Sequence, residues 1–309
     1  MALSFRHRAL LAGLRTVFLP IADRVTSVAT QRQMVDRISR VVRMPEGFAL
    51  SETTLGGRPT RHIKPSGGHA EGHILYLHGG AYIAGGLTSH TPIAALVAHA
   101  VGAEAWLVDY RLAPEHPYPA AREDALSAYK ELLDWGIEPS QIIIAGDSAG
   151  GGLALSTALG IRDAGWPMPA ALVLLSPWTD MSLSSPSYKH NKKREAMLSA
   201  GFLSRAAGHY CNETTRGRPV RRQDSGVSPI FADLAGLPPI VAHVGGDEIL
   251  LDDARLVVER AEAAGGEATL RVFDELWHVF QASAGMIPEA DESLREIGDF
   301  CRAQLARRS

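Results

Sequence analysis

The sequence predicts an α/β fold built on a mostly parallel, doubly wound sheet, and two observations lead to this prediction. After Gly72, short apolar runs alternate with helical stretches, which is typical of parallel strands joined by crossover helices. Before that point, the segment 48–65 has the pattern of two strands about Gly56-Gly57, a dipeptide whose permissive backbone suits a hairpin turn. We therefore expect antiparallel edge strands on the N-terminal side of a parallel sheet.

Six apolar runs are predicted to be strands buried on both faces of the sheet. They are HILYL (73–77), EAWLV (104–108), QIIIA (141–145), ALVLL (171–175), PIVAHV (239–244) and ATLRVF (268–273). The stretches between and after them predict helices near 89–100, 119–135, 149–164, 252–264 and 287–306.

Two helical segments fall outside this alternation, and we predict that they form a cap. Near the N-terminus, apolar residues recur at helical spacing, and a second helix is expected over 30–42; the apolar stripe is Leu10, Leu14, Val17, Ile21, Val25 and Val28. Between 176 and 238, more than fifty residues contain helical stretches (186–194 and 198–210) but no convincing strand. Such a length is improbable for a loop inside a compact domain. The predicted division is an N-terminal cap part (1–45), a first core part (46–180), an inserted cap part (181–225) and a second core part (226–309).

Composition limits the partners and the compartment. The formal net charge is −3, from 31 Lys and Arg against 34 Asp and Glu, so no excess charge is available to hold nucleic acid or an anionic membrane. Cys211 and Cys301 are far apart and lack metal-site spacing, so we expect neither a disulfide framework nor a metal site. Arg15 interrupts the apolar N-terminal stretch, which disfavours a signal peptide. We therefore expect a cytoplasmic protein without stable membrane association.

The strongest chemical signal is the run Gly146-Asp147-Ser148-Ala149-Gly150. It follows the apolar run QIIIA directly and opens a helical stretch, so Gly-x-Ser-x-Gly appears in the strand, turn and helix context of a nucleophilic serine. Such a turn holds the serine in a strained backbone conformation. A glycine-rich phosphate loop is the alternative, but the Gly-Lys-Ser/Thr ending that it requires is missing. Ser148 is therefore the predicted nucleophile.

A serine nucleophile needs a base that is itself oriented by a third group. His278 follows the run ATLRVF by a short loop and is the predicted base, and Asp247, just after PIVAHV, is the predicted acid. Glu248, Asp252 and Asp253 are the rival acids. The last two are more simply explained as acids in the first turn of the next helix.

The third element of the predicted site is His78-Gly79-Gly80-Ala81-Tyr82, which follows HILYL. Acyl transfer places negative charge on the carbonyl oxygen, and backbone N–H groups can stabilise it. The predicted donors of this oxyanion hole are Gly80, Ala81 and Ala149. Tyr82 and Trp178 are candidate pocket residues: Tyr82 at the pocket mouth, and Trp178 either along the acyl pocket or in the core.

Taken together, these motifs resemble the hormone-sensitive-lipase-like branch of the α/β-hydrolases, the bacterial family IV esterases. The resemblance runs from about His73 to Phe280 through HGGAY (78–82), DYRLAPEHPYPA (109–120), GDSAGGGLA (146–154), SPWTD (176–180), DEILLDD (247–253) and HVF (278–280). It implies an α/β-hydrolase fold with a helical cap, and a serine carboxylesterase that hydrolyses short- to medium-chain esters through an acyl-enzyme. It also implies that no metal or organic cofactor is needed. Members of this family often dimerise, so a homodimer is compatible with the resemblance.

Two departures from the family pattern have structural consequences. Ala81 replaces the last glycine of the usual His-Gly-Gly-Gly motif, and an alanine there is expected to need a negative φ. The acid motif also departs from the common Asp-Pro-Leu-x-Asp-Glu form, which leaves the acid less defined in detail.

Other activities use the same arrangement of residues. A lactonase, an amidase or a thioesterase has the same attacking serine, and the shape of the pocket decides among them. A non-catalytic small-molecule receptor is the alternative from another class. The presence of Ser148, Asp247 and His278 together favours an enzyme over such a receptor.

Overall fold

The computed structural model describes residues 10–24, 27–212 and 220–307. The strands are β1 (Phe48–Leu55), β2 (Arg58–Pro65), β3 (His73–Leu77), β4 (Glu104–Val108), β5 (Ile142–Asp147), β6 (Ala171–Leu175), β7 (Ile240–Gly245) and β8 (Ala268–Phe273). They form one sheet in the order β1-β2-β4-β3-β5-β6-β7-β8. β2 pairs antiparallel with both β1 and β4, and the other neighbours are parallel. The predicted parallel sheet with antiparallel N-terminal edge strands is confirmed.

Burial on both faces holds for the central strands and fails at the edge. Every residue of β4, β5, β6 and β7 is buried. The prediction is wrong for β8, where Thr269 and Arg271 are exposed. β8 is the last strand of the sheet, and the Arg271 side chain forms ion pairs with Glu292 and Glu296 of the C-terminal helix.

The helices lie where the sequence predicts them, both within the strand–helix alternation and outside it, and one is shorter than expected. They are α1 (Leu19–Arg24), α2 (Val28–Ile38), α3 (Leu87–Val101), α4 (Ala120–Asp134), α5 (Ala149–Asp163), α6 (Ser187–His190), α7 (Ala200–Cys211), α8 (Leu251–Ala263) and α9 (Pro288–Ala306). A π-helical turn, Leu14–Phe18, leads directly into α1, and 3-10 turns lie at Ser39–Val41, Pro139–Gln141, Pro229–Phe231 and Phe280–Ser283. The helix expected over 186–194 is only α6, four residues long.

Helices cover both faces of the sheet. Successive side chains of a strand point to opposite faces, so each strand packs against helices on both sides. On β3, Leu75 and Leu77 join the apolar cluster that contains α4, α5 and α8 residues. Ile74 and Tyr76 join the opposite cluster, which contains α3 and α9 residues. The sheet therefore forms the middle layer of a doubly wound fold, with the carboxyl ends of its parallel strands at one edge.

The N-terminal helices and the inserted segment contact each other. Ser199 Oγ donates to the Asp23 carboxylate of α1, and Arg205 Nη2 of α7 donates to the Asp23 carbonyl at 2.9 Å. Leu10, Leu14 and Val28 of the apolar stripe are half-buried against the core, whereas Val25 and the side chains of Val17 and Ile21 lie outside the described residues. Division of the chain into cap and core at 45, 180 and 225 stays a prediction. None of the helices in the described ranges is long and apolar enough to cross a membrane.

Candidate active site

Ser148 lies at the sharp turn between β5 and α5. Its φ of 53° and ψ of −121° are strained for a residue with a side chain, which confirms the expected backbone of the turn. Gly146 and Gly150 are needed here, because a Cβ on Gly146 would collide with the Gly150 carbonyl and a Cβ on Gly150 with the Leu77 carbonyl. The turn therefore presents the Ser148 hydroxyl above the carboxyl edge of the sheet.

His278 is held by a buried carboxylate. Its Nδ1 lies 2.7 Å from Glu248 Oε2, and the Glu248 side chain is fully buried. The other Glu248 oxygen accepts hydrogen bonds from Ser176 Oγ at 2.7 Å and from the Gly245 N–H. Burial alone lowers the pKa of His278, but the hydrogen bond and charge of Glu248, with the charge of Glu195, raise the pKa above its ordinary value. The imidazole is thus oriented and made more basic.

Asp247, the predicted acid, does not contact His278, and this prediction is wrong. Its carboxylate is paired with Arg15 Nη2 at 3.0 Å and with Arg194 Nε at 2.7 Å. Glu248, the next residue, occupies the position beside the imidazole. The sequence places both acids just beyond β7, but only the direction of the backbone after the strand decides which of two adjacent side chains faces the base.

The other rival acids are engaged elsewhere. Asp253 accepts hydrogen bonds from the N–H groups of Thr179 at 2.8 Å and Asp180 at 3.0 Å. Asp252 accepts one from the Ser187 N–H at 2.7 Å and pairs with Arg255. Both acids therefore tie α8 to the surrounding loops.

The predicted oxyanion loop makes a tight turn after β3. The Ile83 N–H donates to the Gly80 carbonyl at 3.1 Å, and the two central residues have φ values of 56° (Ala81) and 62° (Tyr82). Positive φ at both central positions is the geometry of a type I′ turn. The expectation of a negative φ at Ala81 is therefore wrong, because the turn has the mirror-image geometry in which both central residues lie in the left-handed region. Among the described groups, no acceptor pairs with the N–H of Gly80, Ala81 or Ala149.

Asp147 joins this loop to the serine turn, a role that sequence reasoning missed. Its Oδ1 accepts hydrogen bonds from the Gly79 N–H at 3.1 Å and from Tyr76 Oη at 2.9 Å, while His90 Nε2 lies 3.6 Å from Oδ2. Burial alone raises the pKa of Asp147, but His90 and Tyr76 lower the pKa below its ordinary value. The sequence signal that could have indicated this role is the position of Asp147 directly before Ser148 in the Gly-x-Ser-x-Gly motif.

A cavity of about 320 Å³ opens onto this edge of the sheet. Ser148, His278, Gly80 and Ala81 line it, together with mostly apolar side chains from two other parts of the chain. The N-terminal part contributes Leu10, Leu14, Leu19, Met34 and Val35, and the inserted part contributes Met197, Leu198, Phe202 and Leu203. Such a cavity suits an uncharged, partly apolar ligand.

The two candidate pocket residues lie in the core instead. Tyr82 is 1% exposed and stacks on Tyr210 with ring centroids 3.8 Å apart. Trp178 is fully buried and donates to the Asp180 carbonyl at 3.1 Å. Neither is among the described residues that line the cavity, so the pocket-mouth prediction for Tyr82 is wrong and the core alternative holds for Trp178. The direction of the Tyr82 side chain follows from packing against Tyr210 of α7, and the Trp178 ring lies beside Tyr82; local sequence reports neither contact.

In the described ranges, no group of three or more His, Cys, Asp or Glu side chains is arranged to hold a metal ion. The arrangement that is present consists of a strained serine, an oriented imidazole and unpaired backbone donors at one cavity. Chemically, such an arrangement can attack an acyl carbon and stabilise the resulting oxyanion.

Known proteins share this fold and much of this sequence. A family model described as alpha/beta hydrolase fold matches residues 74–282. An acetyl-hydrolase of Streptomyces hygroscopicus is 40% identical over 74% of this chain and 75% of its own. An esterase of Acinetobacter venetianus is 36% identical over 87% of each chain.

Solved structures agree over nearly the whole length. A crystal structure of an esterase from the bacterial hormone-sensitive lipase family has a TM-score of 0.91 at 34% identity, covering 99% of this chain and 100% of the other. A structure of EstE5 soaked with p-nitrophenyl butyrate has a TM-score of 0.90 at 35% identity, covering 98% of this chain and 100% of the other.

Proposed function

This chain belongs to the alpha/beta hydrolase fold family, in its bacterial hormone-sensitive-lipase branch, and on that premise we propose that it hydrolyses carboxylic esters through an acyl-enzyme on Ser148. It is a serine carboxylesterase, and relatives carry the names esterase and carboxylesterase. The observation that supports the assignment of residues best is the 2.7 Å contact between the buried Glu248 and His278, which lines the same cavity as Ser148.

The reaction follows from these positions. The second ring nitrogen of His278 takes the Ser148 proton while Oγ forms a bond to the ester carbonyl carbon, and the carbonyl electron pair moves to oxygen. The N–H groups of Gly80, Ala81 and Ala149 stabilise that oxyanion, each by about 3 kcal/mol. The imidazolium then protonates the departing alcohol as the C–O bond breaks. Water repeats the sequence on the acyl-enzyme and releases the acid.

Glu248 acts through the imidazole. Its carboxylate accepts from Nδ1, so the neutral ring presents its unprotonated nitrogen to the serine, and the negative charge stabilises the imidazolium. Because the neutral imidazole is the active form, activity falls as the pH drops through the pKa of His278. That pKa is raised. We therefore expect the fall in activity on the acid side of the pH profile, its acid limb, to occur at a higher pH than the ordinary pKa of an imidazole would give.

The substrate is proposed to be a neutral ester with a short- to medium-chain acyl group. The cavity of about 320 Å³ is lined mainly by Leu, Met, Val and Phe side chains, which favours apolar groups over charged ones. Kinetics with p-nitrophenyl esters of rising acyl length, beside lactones, thioesters and anilides, would separate an esterase from the related hydrolases. A preference for lactones or anilides would contradict this substrate class.

The direct test is Ser148→Ala, with Ser156→Ala as the matched control. Ser156 is a buried serine on α5, the helix that Ser148 precedes, so its replacement samples the same part of the core without removing the nucleophile. We expect Ser148→Ala to lower kcat by a factor on the order of 10⁶ and to abolish labelling by a fluorophosphonate, because the covalent step is lost. Turnover above about a hundredth of the wild-type rate would contradict the assignment.

A cytoplasmic location and a homodimer complete the proposal. Cys211 and Cys301 are both buried and do not form a disulfide with each other, which suits a reducing compartment. Fractionation of the producing cells and light scattering of the purified protein test these two points. A secreted protein or a monomer at micromolar concentration would contradict the corresponding point.

A further inference from the structure

Glu195 is a buried carboxylate in the inserted segment, between α6 and α7. It is 2% exposed. Its Oε1 accepts hydrogen bonds from the N–H groups of Ala196 at 2.8 Å, Met197 at 2.8 Å and Leu198 at 3.2 Å. Its Oε2 accepts one from the Ile249 N–H at 2.9 Å. Burial of a carboxylate is costly unless it is hydrogen-bonded, and here four backbone donors compensate it.

One oxygen of this carboxylate, Oε2, restrains the segment directly after β7, residues 246–249, which we call the acid loop. Ile249 is the residue directly after Glu248, so the Glu195 contact restrains the backbone beside the acid of the proposed triad. Asn191, also from the inserted segment, restrains the other side, because its Nδ2 donates to the carbonyls of Glu248 at 2.8 Å and Gly246 at 3.1 Å. The position of the acid is therefore determined by contacts from outside its own loop.

The other oxygen of the carboxylate, Oε1, binds the backbone of one wall of the cavity. The side chains of Met197 and Leu198 line the cavity that contains Ser148, and the N–H groups of both residues bond to the same Glu195 oxygen. A single side chain thus connects the cavity wall to the acid loop. A displacement of either one must break hydrogen bonds to a buried charge or carry the other with it.

We propose that Glu195 is a positioning residue for the Glu248–His278 pair and that it couples the cavity wall at Met197 and Leu198 to this pair. The inference rests on the proposed function, since it assigns a role in orienting that triad. Glu195 touches no substrate atom in this account and acts only through the acid loop and the wall. An error of about 1 Å in the placement of a catalytic group can cost about 100-fold in rate, so such a restraint has a measurable effect.

The electrostatic surroundings provide a readout that separates this role from a purely structural one. The charges of Glu248, Glu195 and Asp147 all favour the charged imidazole and raise the pKa of His278 against the opposing effect of burial. Beyond them, Asp247 is paired with the guanidinium groups of Arg15 and Arg194. Removing the Glu195 charge alone should therefore lower the pKa of His278.

The test is Glu195→Gln in the full-length protein, with p-nitrophenyl butyrate as substrate, and Glu104→Gln as the control. Glu104 is another buried glutamate, 8% exposed, but it lies at the amino end of β4 with His62 and His73. We expect Glu195→Gln to lower kcat by about 10- to 100-fold and to move the acid limb of kcat/KM to lower pH. Glu104→Gln should lower the melting temperature while leaving kcat and the acid limb unchanged.

A second variant keeps the proposal testable if Glu195→Gln does not fold. Glu195→Asp keeps the charge but shortens the reach to the Ile249 N–H, so kcat should fall while the acid limb stays close to that of the wild type. Rates are expressed per serine titrated by a fluorophosphonate, which counts only competent molecules. Wild-type kcat in Glu195→Asp, or an unmoved acid limb in Glu195→Gln, would overturn the proposal. Failure of the wild-type protein to titrate or to hydrolyse esters would instead overturn the proposed function.

Discussion

At the scale of single residues, two adjacent acids after β7 have different partners. The Glu248 carboxylate faces His278, whereas that of Asp247 faces Arg15 and Arg194. The Asp247 contacts join the N-terminal segment, the inserted segment and the acid loop at one carboxylate. Adjacent residues of the same chemical type thus have separate partners, one beside the proposed base and the other joining three segments.

This difference predicts unequal effects of two conservative substitutions. Glu248→Gln should lower kcat by about 10³- to 10⁴-fold, because the imidazole loses its orienting charge. It should also move the acid limb of kcat/KM to lower pH, since Glu248 raises the pKa of His278. Asp247→Asn should lower kcat by less than about tenfold, because it loosens an ion pair outside the reacting groups. Steady-state kinetics against pH measures both, and a greater loss in Asp247→Asn would show that the acid is assigned wrongly.

Ala81 offers a test of the oxyanion turn. Its φ of 56° is unfavourable for a residue with a Cβ, and especially for a β-branched one. Ala81→Gly should retain kcat with a change in stability within about 1 kcal/mol, because relief of strain and greater chain entropy oppose each other. Ala81→Val should lose both stability and kcat, since relaxing the strain would displace the N–H donors. Melting curves measure the change in stability and steady-state kinetics measure kcat. A fully active Val variant would argue against Ala81 as a donor.

At the scale of elements, Glu104 joins three strands at the amino end of the sheet. One carboxylate oxygen lies 2.8 Å from His62 Nε2 on β2, and the other lies 2.7 Å from His73 Nδ1 on β3. The His62 ring also stacks on Trp106, with centroids 3.8 Å apart. This cluster therefore fastens the antiparallel edge to the parallel part of the sheet.

The cluster predicts a pH-dependent contribution to stability. Burial alone raises the pKa of Glu104, but His62 and His73 lower the pKa to about 2. Because this folded-state pKa is below the unfolded one, the contribution is present above the unfolded pKa and is lost as the pH falls toward 2. Glu104→Gln should reduce the free energy of unfolding at pH 7 by roughly 1–3 kcal/mol and weaken its decrease at acid pH. Urea unfolding at pH 7 and pH 3 checks this, and equal losses at both would exclude the ionic contribution.

At the scale of the whole molecule, the cavity exists only because separate parts of the chain meet. Leu10, Leu14 and Met34 come from the N-terminal part, and Arg32 on α2 donates to the Ile83 carbonyl at 2.8 Å, next to the oxyanion turn. Arg32 also pairs with Glu115 at 2.7 Å. The N-terminal part thus contributes both a wall of the cavity and a support for the turn.

Removal of residues 1–45 should therefore open the cavity and expose apolar surface. We expect more aggregation and a lower kcat/KM, with the largest loss for the longest acyl chains, because those chains depend most on the missing wall. Light scattering and the p-nitrophenyl ester series measure the two effects. Unchanged solubility together with an unchanged acyl preference would refute a capping role for this part.

The sequence by itself determined which segments form strands along the chain, the hairpin and the serine turn. These features depend on local physics: apolar runs such as 171–175 are long enough only for buried strands, and the glycines at 146 and 150 remove side chains that would collide. The predictions of Ser148 as nucleophile and His278 as base rest on the same local patterns and on their order along the chain. The half-exposure of β8 was readable locally, because ATLRVF alternates apolar residues with Thr269 and Arg271, and the prediction of burial on both faces overlooked this alternation.

Only the tertiary structure decided which side chains meet. The choice of Glu248 over Asp247 and the burial of Tyr82 depend on contacts between segments far apart in the chain. The positive φ of Ala81 became evident only from the backbone of its turn. Glu195 is the extreme case, because it lies 53 residues before Glu248 and no periodicity or motif relates the two. Side-chain direction at a strand end and the pairing of a buried charge follow from packing, to which distant residues contribute as much as neighbours do.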